Sequence, residues 1–240
     1  MARRSYAVHR WLGLVVGLQI LAWCVGGLIF ATHDIAWVRS EAGRARGDTP
    51  TVDLARVRIG PAEAVARLGH AGAVEQMVVR PFLGRPAYEI SQDGNTALVD
   101  AETGAVLSPL DRDTAVAIAR ADRAGNPGIR EAVLIERDPP SEYREGPLPA
   151  WRVDIDDDEN THVYVSTTTG RITARRNDPW RRFDFFWMLH TMDYRGRDDF
   201  NHPLLIVAAA AAVVTLASGF WLWGIRVYRR RRRRQASTAR

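Results

Sequence analysis

Two long apolar stretches, one near each end of the 240-residue chain, constrain its fold more than any other feature. Residues 11–32 contain no charged side chain, and residues 203–225 contain none either. A helix over the 22 residues of the first stretch is about 33 Å long, enough to cross a bilayer core of roughly 30 Å. The sequence therefore predicts two transmembrane helices, with everything between them on one side of the membrane.

The first stretch has a second interpretation, a signal peptide that is removed after export. Its apolar run is longer than the core of a typical signal peptide, and no small-residue cleavage site precedes His33. We therefore interpret residues 11–32 as an uncleaved anchor.

Arginines lie just outside both stretches and predict the orientation of the chain. They are Arg3, Arg4, Arg10, Arg226 and residues 229–234. Positively charged flanks stay in the cytoplasm, so residues 1–10 and 226–240 are predicted to be cytoplasmic tails. The loop between the stretches then lies outside the cytoplasm, which is the periplasm if the host is a Gram-negative bacterium.

The same arginines account for the basic character of the chain. The seven at positions 226 and 229–234 exceed the net charge of +5, so the rest of the chain is slightly acidic. A nucleic-acid-binding domain would spread basic residues over its surface. We therefore expect the lipid bilayer, and no nucleic acid, as a partner, with the arginine run lying against anionic headgroups.

The block between the two stretches shows one pattern twice. In each copy a helical segment precedes three strands, a Thr-Gly turn and a short return strand. The predicted segments are 61–68, 74–80, 87–91, 96–99 and 105–107, then 111–121, 131–136, 151–155, 162–165 and 171–174. Gly104 and Gly170 suit turns that need a positive φ. The pattern predicts a tandem repeat, residues 61–110 and 111–176, in which a helix covers an antiparallel sheet.

Two connecting segments complete the predicted organisation. Residues 33–60 are polar and are interpreted as a periplasmic linker. Residues 177–202 include an aromatic run flanked by arginines, which predicts a short helix at the outer membrane interface followed by a connector. The predicted fold class is a membrane-anchored α+β protein, with two transmembrane helices flanking the repeats.

Five short motifs resemble those of a known family. They are HRWLGL at residues 9–14, VDAETGAV at 99–106, VSTTTGRI at 165–172, WMLH at 187–190 and GFWLW at 219–223. Together they resemble the PepSY-associated transmembrane family, whose periplasmic part consists of PepSY domains. The resemblance implies a bacterial inner-membrane protein of iron uptake. Several larger members are similar to haem-bearing ferric-siderophore reductases with additional spans, which this chain lacks.

Four histidines lie at the predicted membrane boundaries, at His9, His33, His190 and His202. His9 and His33 are 24 residues apart, or about 36 Å along a helix, so they cannot bind the same metal. Bis-histidine ligation of haem suits electron transfer. With the resemblance, this makes His33 and His190 candidate iron ligands of haem b. His9 is a candidate inner ligand or quinone contact, and His202 is a further candidate at the outer edge.

The histidines have a simpler interpretation, as amphipathic rings at headgroup level. The two stretches also carry small residues at near four-residue steps, which let helices approach closely. They are Gly13, Gly17, Ala22, Gly26, Gly27, residues 208–212 and Gly219. These residues predict close pairing of the two helices or a homodimer, and the four helices of a dimer enclose a haem better than two.

Three functions are compatible with these features. The first is an accessory of iron or siderophore acquisition that binds haem and assists ferric-siderophore reduction at the periplasmic face. The second is a non-catalytic binding or regulatory module that contacts a peptide, a peptidase or a transporter. The third is a structural tether. No catalytic residue is predicted, and whether the protein is an enzyme stays open.

Three features of the repeats are expected to be ordinary surface. The acidic run at residues 154–159 lacks the spacing and the glycine of a calcium loop, so it is interpreted as a solvated hairpin tip rather than a cation site. His70 and His162 are expected on the surface.

Overall fold

A computed structural model describes residues 2–45, 51–69 and 72–238, without the side chains of residues 2–9, 12 and 230–238. The chain divides into two compact units. The first unit comprises Met1–His33 and Arg182–Arg240, and the second comprises Asp34–Arg181.

Two long helices dominate the first unit. Helix α1 covers Ala2–Thr32 and helix α6 covers Pro203–Thr238. Their windows Gly13–Thr32 and Pro203–Arg229 are long and apolar enough to cross a membrane, and only 11% and 6% of these windows are buried. The two helices pack against each other, and each contributes one well-buried aliphatic residue, Val16 and Ala212. The apolar surface that remains exposed is the kind that lipid covers.

Both helices are longer than the predicted stretches. Residues 2–10, predicted as a tail, continue α1, and α6 continues through the arginine run. Neither extension contains glycine or proline. Alanine and arginine are strong helix formers, so nothing in the local sequence ends either helix at the predicted boundary.

The second unit begins with a three-stranded antiparallel sheet of order β1-β2-β3. Its strands are Val74–Phe82, Arg85–Gln92 and Asn95–Asp100. Helix α3, Pro61–Ala66, starts with proline in its first turn, a position where the missing N–H is not needed. Ala64 of this helix packs on Tyr88, Ile90 and Val99, so α3 covers one face of the sheet as predicted.

A four-stranded antiparallel sheet of order β4-β5-β6-β7 follows. Its strands are Ile129–Ile135, Ala150–Ile155, His162–Ser166 and Ile172–Arg176. Helix α4, Arg112–Asp122, precedes this sheet, and the carboxylate of its N-cap residue Asp111 accepts the Thr114 N–H at 2.8 Å. An N-cap aspartate satisfies one of the free donors of a helix start, so the local sequence sets where α4 begins.

The two sheets share one hydrophobic core. Ala87 and Leu98 of the first sheet pack in the same cluster as Ala115 of α4 and Val163 of the second sheet. Strands β2 and β3 of the first sheet therefore pack on both faces, whereas the predicted repeat has its sheet covered by its own helix. The reason is that α4 contributes to the packing of both repeats.

The first repeat has no full return strand at residues 105–107. A short ladder forms around the bridge between Val99 and Val106. The Leu107 N–H donates to the Leu98 carbonyl at 2.8 Å, and the Asp100 N–H donates to the Ala105 carbonyl at 2.9 Å. The ladder ends at Leu98, whose N–H donates to the hydroxyl of Ser108 at 2.9 Å rather than to a backbone carbonyl.

The first part of the predicted linker is packed. Helix α2, Ile35–Val38, is followed by Ser40, whose carbonyl and hydroxyl accept hydrogen bonds from the Arg123 guanidinium at 2.9 and 3.0 Å. The Ala124 N–H donates to the Gly43 carbonyl at 3.1 Å. These bonds attach the segment to the chain that leaves α4, so residues 35–44 belong to the second unit.

Candidate functional site

Helix α5, Asp178–Thr191, carries the aromatic run. The Trp180 N–H donates to the Asn177 side chain at 2.9 Å, which satisfies a free donor of the first turn. The sequence predicts this helix over residues 180–194, but it ends at Thr191, because Met192 has a φ of 57°. The next residue, Asp193, accepts four loop N–H groups. Burial would raise the pKa of Asp193, but these hydrogen bonds hold it at about 2.

Side chains from elsewhere in the first unit satisfy the last carbonyls of α5. Gln19 donates to the Leu189 carbonyl at 3.4 Å, and Trp23 donates to the His190 carbonyl at 2.9 Å. The Nε2 of His202 lies 2.8 Å from the Thr191 carbonyl. The final carbonyls of a helix lack partners within the helix. Gln19, the one strongly polar side chain of the first apolar stretch, therefore has a structural role that its sequence position did not reveal.

An aromatic site, defined by Trp23, Phe30, Phe183, Trp187 and His190, lies where α1 meets α5. The Phe30 ring centroid is 4.6 Å from that of Phe183 and 5.8 Å from those of Trp187 and His190. The Trp23 ring is 6.2 Å from the imidazole. The imidazole of His190 is thus held between two rings of α1, in an apolar environment.

The Nδ1 atom of His190 is buried and has no hydrogen-bond partner among the described residues. A buried polar atom without a partner costs about 1–3 kcal/mol and calls for an explanation, such as a missing ligand. An imidazole nitrogen is a ligand that haem iron takes, but protein atoms cover this Nδ1, so a bound haem requires the surrounding rings to move. Among the residues that the structure describes, no three His, Cys, Asp or Glu side chains are grouped to hold a metal ion.

The other predicted histidines have different surroundings. His33 is exposed, and its Nδ1 lies 2.9 Å from the Ile29 carbonyl of its own helix. His202 is tied to the end of α5 through Nε2. His9 lies in α1, but its side chain is outside the described part of the chain, and His70 is outside it entirely.

A second polar group, not predicted from the sequence, lies on one face of the four-stranded sheet. We call it the Glu142 cluster; its members are Glu142, His162, Tyr164 and Arg181. Tyr164 donates to Glu142 Oε1 at 2.6 Å, and Arg181 donates to Oε2 at 2.7 Å. The Nδ1 of His162 lies 2.6 Å from Oε1. Both oxygens of the carboxylate therefore have close partners.

The electrostatics of the cluster follow from this geometry. Burial would raise the pKa of Glu142, but the hydrogen bonds from His162, Arg181 and Tyr164 hold it at about 2. Burial and the same carboxylate raise the pKa of the Tyr164 hydroxyl. Glu142 lies in a 3₁₀ turn at Ser141–Tyr143 within a long loop. The cluster thus fastens this loop to the sheet.

One surface prediction is wrong in this region and another holds in part. His162 is only 23% exposed, because it lies between Glu142 and Asp154. In the acidic run, Asp154 is buried and pairs with Arg152 at 2.8 Å, whereas Asp156 and Asp158 are exposed in the turn between β5 and β6, as predicted for a hairpin tip. Glu159 accepts the indole N–H of Trp37 at 3.0 Å. One sequence pattern could have indicated that His162 belongs to a polar cluster. The period of two in β6 places His162 and Tyr164 on the same face of the sheet.

The loop glutamate itself carried no such signal. Glu142 lies in a polar stretch with no periodicity, and its partners come from β6 and the start of α5. Only the folded chain brings these residues together.

Two apolar helices and a separate body of helices and antiparallel sheets define a membrane-anchored α+β protein. The family model described as PepSY-associated TM region matches residues 6–240. The chain therefore belongs to this family, and the resemblance of its motifs is confirmed. Comparisons with curated proteins and with solved structures find no match.

Proposed function

We propose that the protein is anchored in a bacterial inner membrane, with both ends in the cytoplasm and the second unit in the periplasm. The arginines outside both apolar windows support this orientation, because basic flanks are retained on the cytoplasmic side.

Protease added to intact spheroplasts should cut the second unit and leave a tag after Arg240 attached to α6. The described surface includes exposed loop residues such as Glu145, where cleavage can begin. Permeabilised cells are the control, because there the tag should also be removed. A tag lost from intact spheroplasts while residues 34–181 stay whole would contradict the orientation.

Within this arrangement, the function we favour is an accessory of iron or siderophore acquisition that binds haem b and assists ferric-siderophore reduction at the periplasmic face. The observation that carries it is the buried, unpaired Nδ1 of His190 in the aromatic site. His190 would hold the iron, and the rings of Phe30 and Trp187 would exclude water. When bound, haem would supply one-electron chemistry.

A bis-histidine haem needs a second imidazole on its opposite face. His33 is one candidate, and His190 of a second copy is the other. An added Cβ at Gly13, Gly17 or Gly27 would meet no described atom within 4 Å. Small residues with open space beside them allow another helix to approach, which supports a homodimer through α1.

Haem binding gives a direct spectroscopic prediction. Full-length protein purified in detergent should show a reduced-haem absorption band, and His190→Ala should lower the haem content per chain by about ten-fold, because an apolar site with no axial ligand holds haem weakly. Phe185→Ala is the matched control, since Phe185 is an exposed ring on the same helix and should keep the haem.

The same preparation tests whether a second copy of the chain supplies the second haem ligand. Cys24 is the one cysteine of the chain and is exposed on α1, so oxidative cross-linking reports on a dimer through this helix. Colourless wild-type protein from cells supplied with haem would refute haem binding. Haem in a protein that stays monomeric would instead point to His33 as the second ligand.

A non-catalytic binding module is the second candidate, and one observation favours it. Strand β1 is an outer strand of its sheet, and among the described residues its ladder partner is β2 alone. Val74 and Val78 on this strand are exposed. A free edge accepts an extended peptide as an additional strand, and a peptide, a peptidase or a transporter could supply one. A colourless protein whose His33→Ala and His190→Ala variants behave as wild type would favour this function.

A further inference from the structure

The C-terminal part of α6 carries a groove that no function discussed so far uses. It is shallow and open, and all of its lining residues, from Ala217 to Arg229, belong to one helix. Phe220, Gly224 and Tyr228 line it at four-residue steps, and such residues lie above one another on a helix face. An added Cβ at Gly224 would meet nothing within 4 Å. Gly224 therefore leaves a notch between two exposed aromatic rings.

Charge is concentrated at one end of this groove. Arg229 belongs to its lining, Arg226 lies one turn earlier, and five more arginines follow directly in the sequence. Aromatic rings with basic residues just beyond them are typical of the level of lipid headgroups. A guanidinium binds a phosphate group through paired N–H donors.

We propose that this groove is a binding site for an anionic phospholipid. One acyl chain lies in the notch over Gly224, between the rings of Phe220 and Tyr228. The headgroup phosphate is bound at Arg229. A second copy of the chain is the weaker occupant, because it would bring a second arginine run against the first, and like charges repel. The proposal depends neither on haem nor on the orientation of the chain.

The test uses full-length protein in a neutral detergent, with lipid binding measured by native mass spectrometry. Phosphatidylglycerol and phosphatidylcholine with identical acyl chains are the two probes. Phosphatidylglycerol should bind at least about five-fold more tightly, and Arg229→Gln should remove about five-fold of its affinity, as expected for one arginine near an anionic lipid. The same variant should weaken phosphatidylcholine binding less, because the choline ammonium already offsets the charge of its phosphate.

The notch is tested without changing any charge. Gly224→Leu fills it and should weaken phosphatidylglycerol binding by about ten-fold, because the acyl chain loses its apolar contacts. Gly219→Leu is the matched control: Gly219 lies on the same helix with open space around it and is not part of the groove lining. Circular dichroism verifies that both variants keep their helix content.

Four results would overturn the proposal. Equal affinity for the two lipids would show that the negative charge of the headgroup does not contribute to binding. Equal effects of Gly224→Leu and Gly219→Leu would show that the notch at Gly224 does not bind the acyl chain. Lipid affinity that is unchanged by Arg229→Gln but lost when residues 230–234 are all replaced by glutamine would show a general electrostatic attraction to the arginine run rather than a site at Arg229. Inorganic phosphate that displaces the lipid completely would show a phosphate site without an acyl-chain groove.

Discussion

Replacing Gly170 with alanine is expected to destabilise the second unit by about 2–4 kcal/mol, about twice the cost of the same change at Gly104. The two glycines end the equivalent Thr-Gly turns of the two repeats, with φ values of 65° and 76°. Alanine pays a penalty of about 1–2 kcal/mol at either position for the left-handed backbone. Only at Gly170 does the new methyl group also lack space.

The crowding at Gly170 comes from the shared core. A Cβ there would lie 2.7 Å from the Phe82 ring and 2.8 Å from a Leu110 methyl group. At Gly104 the nearest atom is the Nε of Arg67 at 3.3 Å, which belongs to a flexible side chain. Overpacking a core costs about 1–3 kcal/mol. The additional loss of stability at Gly170 is therefore expected because the two sheets pack together in one core.

Polar contacts hold the second turn against the first sheet. Arg80 and Ser108 donate to the carbonyls of Thr169 and Thr168, and Arg171 pairs with Glu89 at 3.1 Å. These contacts limit how far the turn can move to accommodate a methyl group. The turn therefore cannot readily move to relieve the steric clash of the added methyl group.

Urea unfolding of the full-length chain in detergent, followed by tryptophan fluorescence, measures the difference. Trp151 is a reporter within the affected core, because its indole donates to the Leu110 carbonyl at 2.9 Å and the residue packs on the shared cluster. Equal losses for Gly104→Ala and Gly170→Ala would show that the repeats pack independently, contrary to the structure.

Replacing Glu142 with glutamine is expected to cost about 3 kcal/mol at neutral pH. The pKa of Glu142 falls from 4.5 to about 2 on folding, and each unit corresponds to about 1.4 kcal/mol. Because the folded pKa is the lower one, the stabilisation is fully present above pH 4.5. It is lost as the pH falls towards 2. Glutamine keeps an acceptor for Tyr164 but loses the charge that pairs with Arg181.

The difference in unfolding free energy between wild type and Glu142→Gln, measured from pH 7 to pH 3, isolates this carboxylate from the others. The difference should shrink steadily below pH 4.5. Glu145→Gln is the matched control, since Glu145 is an exposed residue of the same loop and should change stability by no more than about 0.5 kcal/mol. A difference that does not vary with pH would mean that the charge of Glu142 contributes nothing.

The sequence alone determined those features that depend on neighbouring residues. The apolar stretches predict α1 and α6 because length and composition decide whether a helix can span a membrane. Alternation and turn residues predict eight strands, of which seven form, because a strand with one apolar face has a period of two. The N-cap Asp111 likewise reports the start of α4 from its own position.

Only the tertiary structure decided what depends on residues far apart in the chain. Gln19 caps a carbonyl at Leu189, 170 residues away, and no local pattern shows that a polar residue in an apolar stretch has such a partner. The same holds for Glu142, whose low pKa is set by residues from β6 and α5. It also holds for Gly170, which differs from Gly104 because the sheets share a core. Periodicity shows which face of an element is apolar, but which element packs against that face is decided when the whole chain folds.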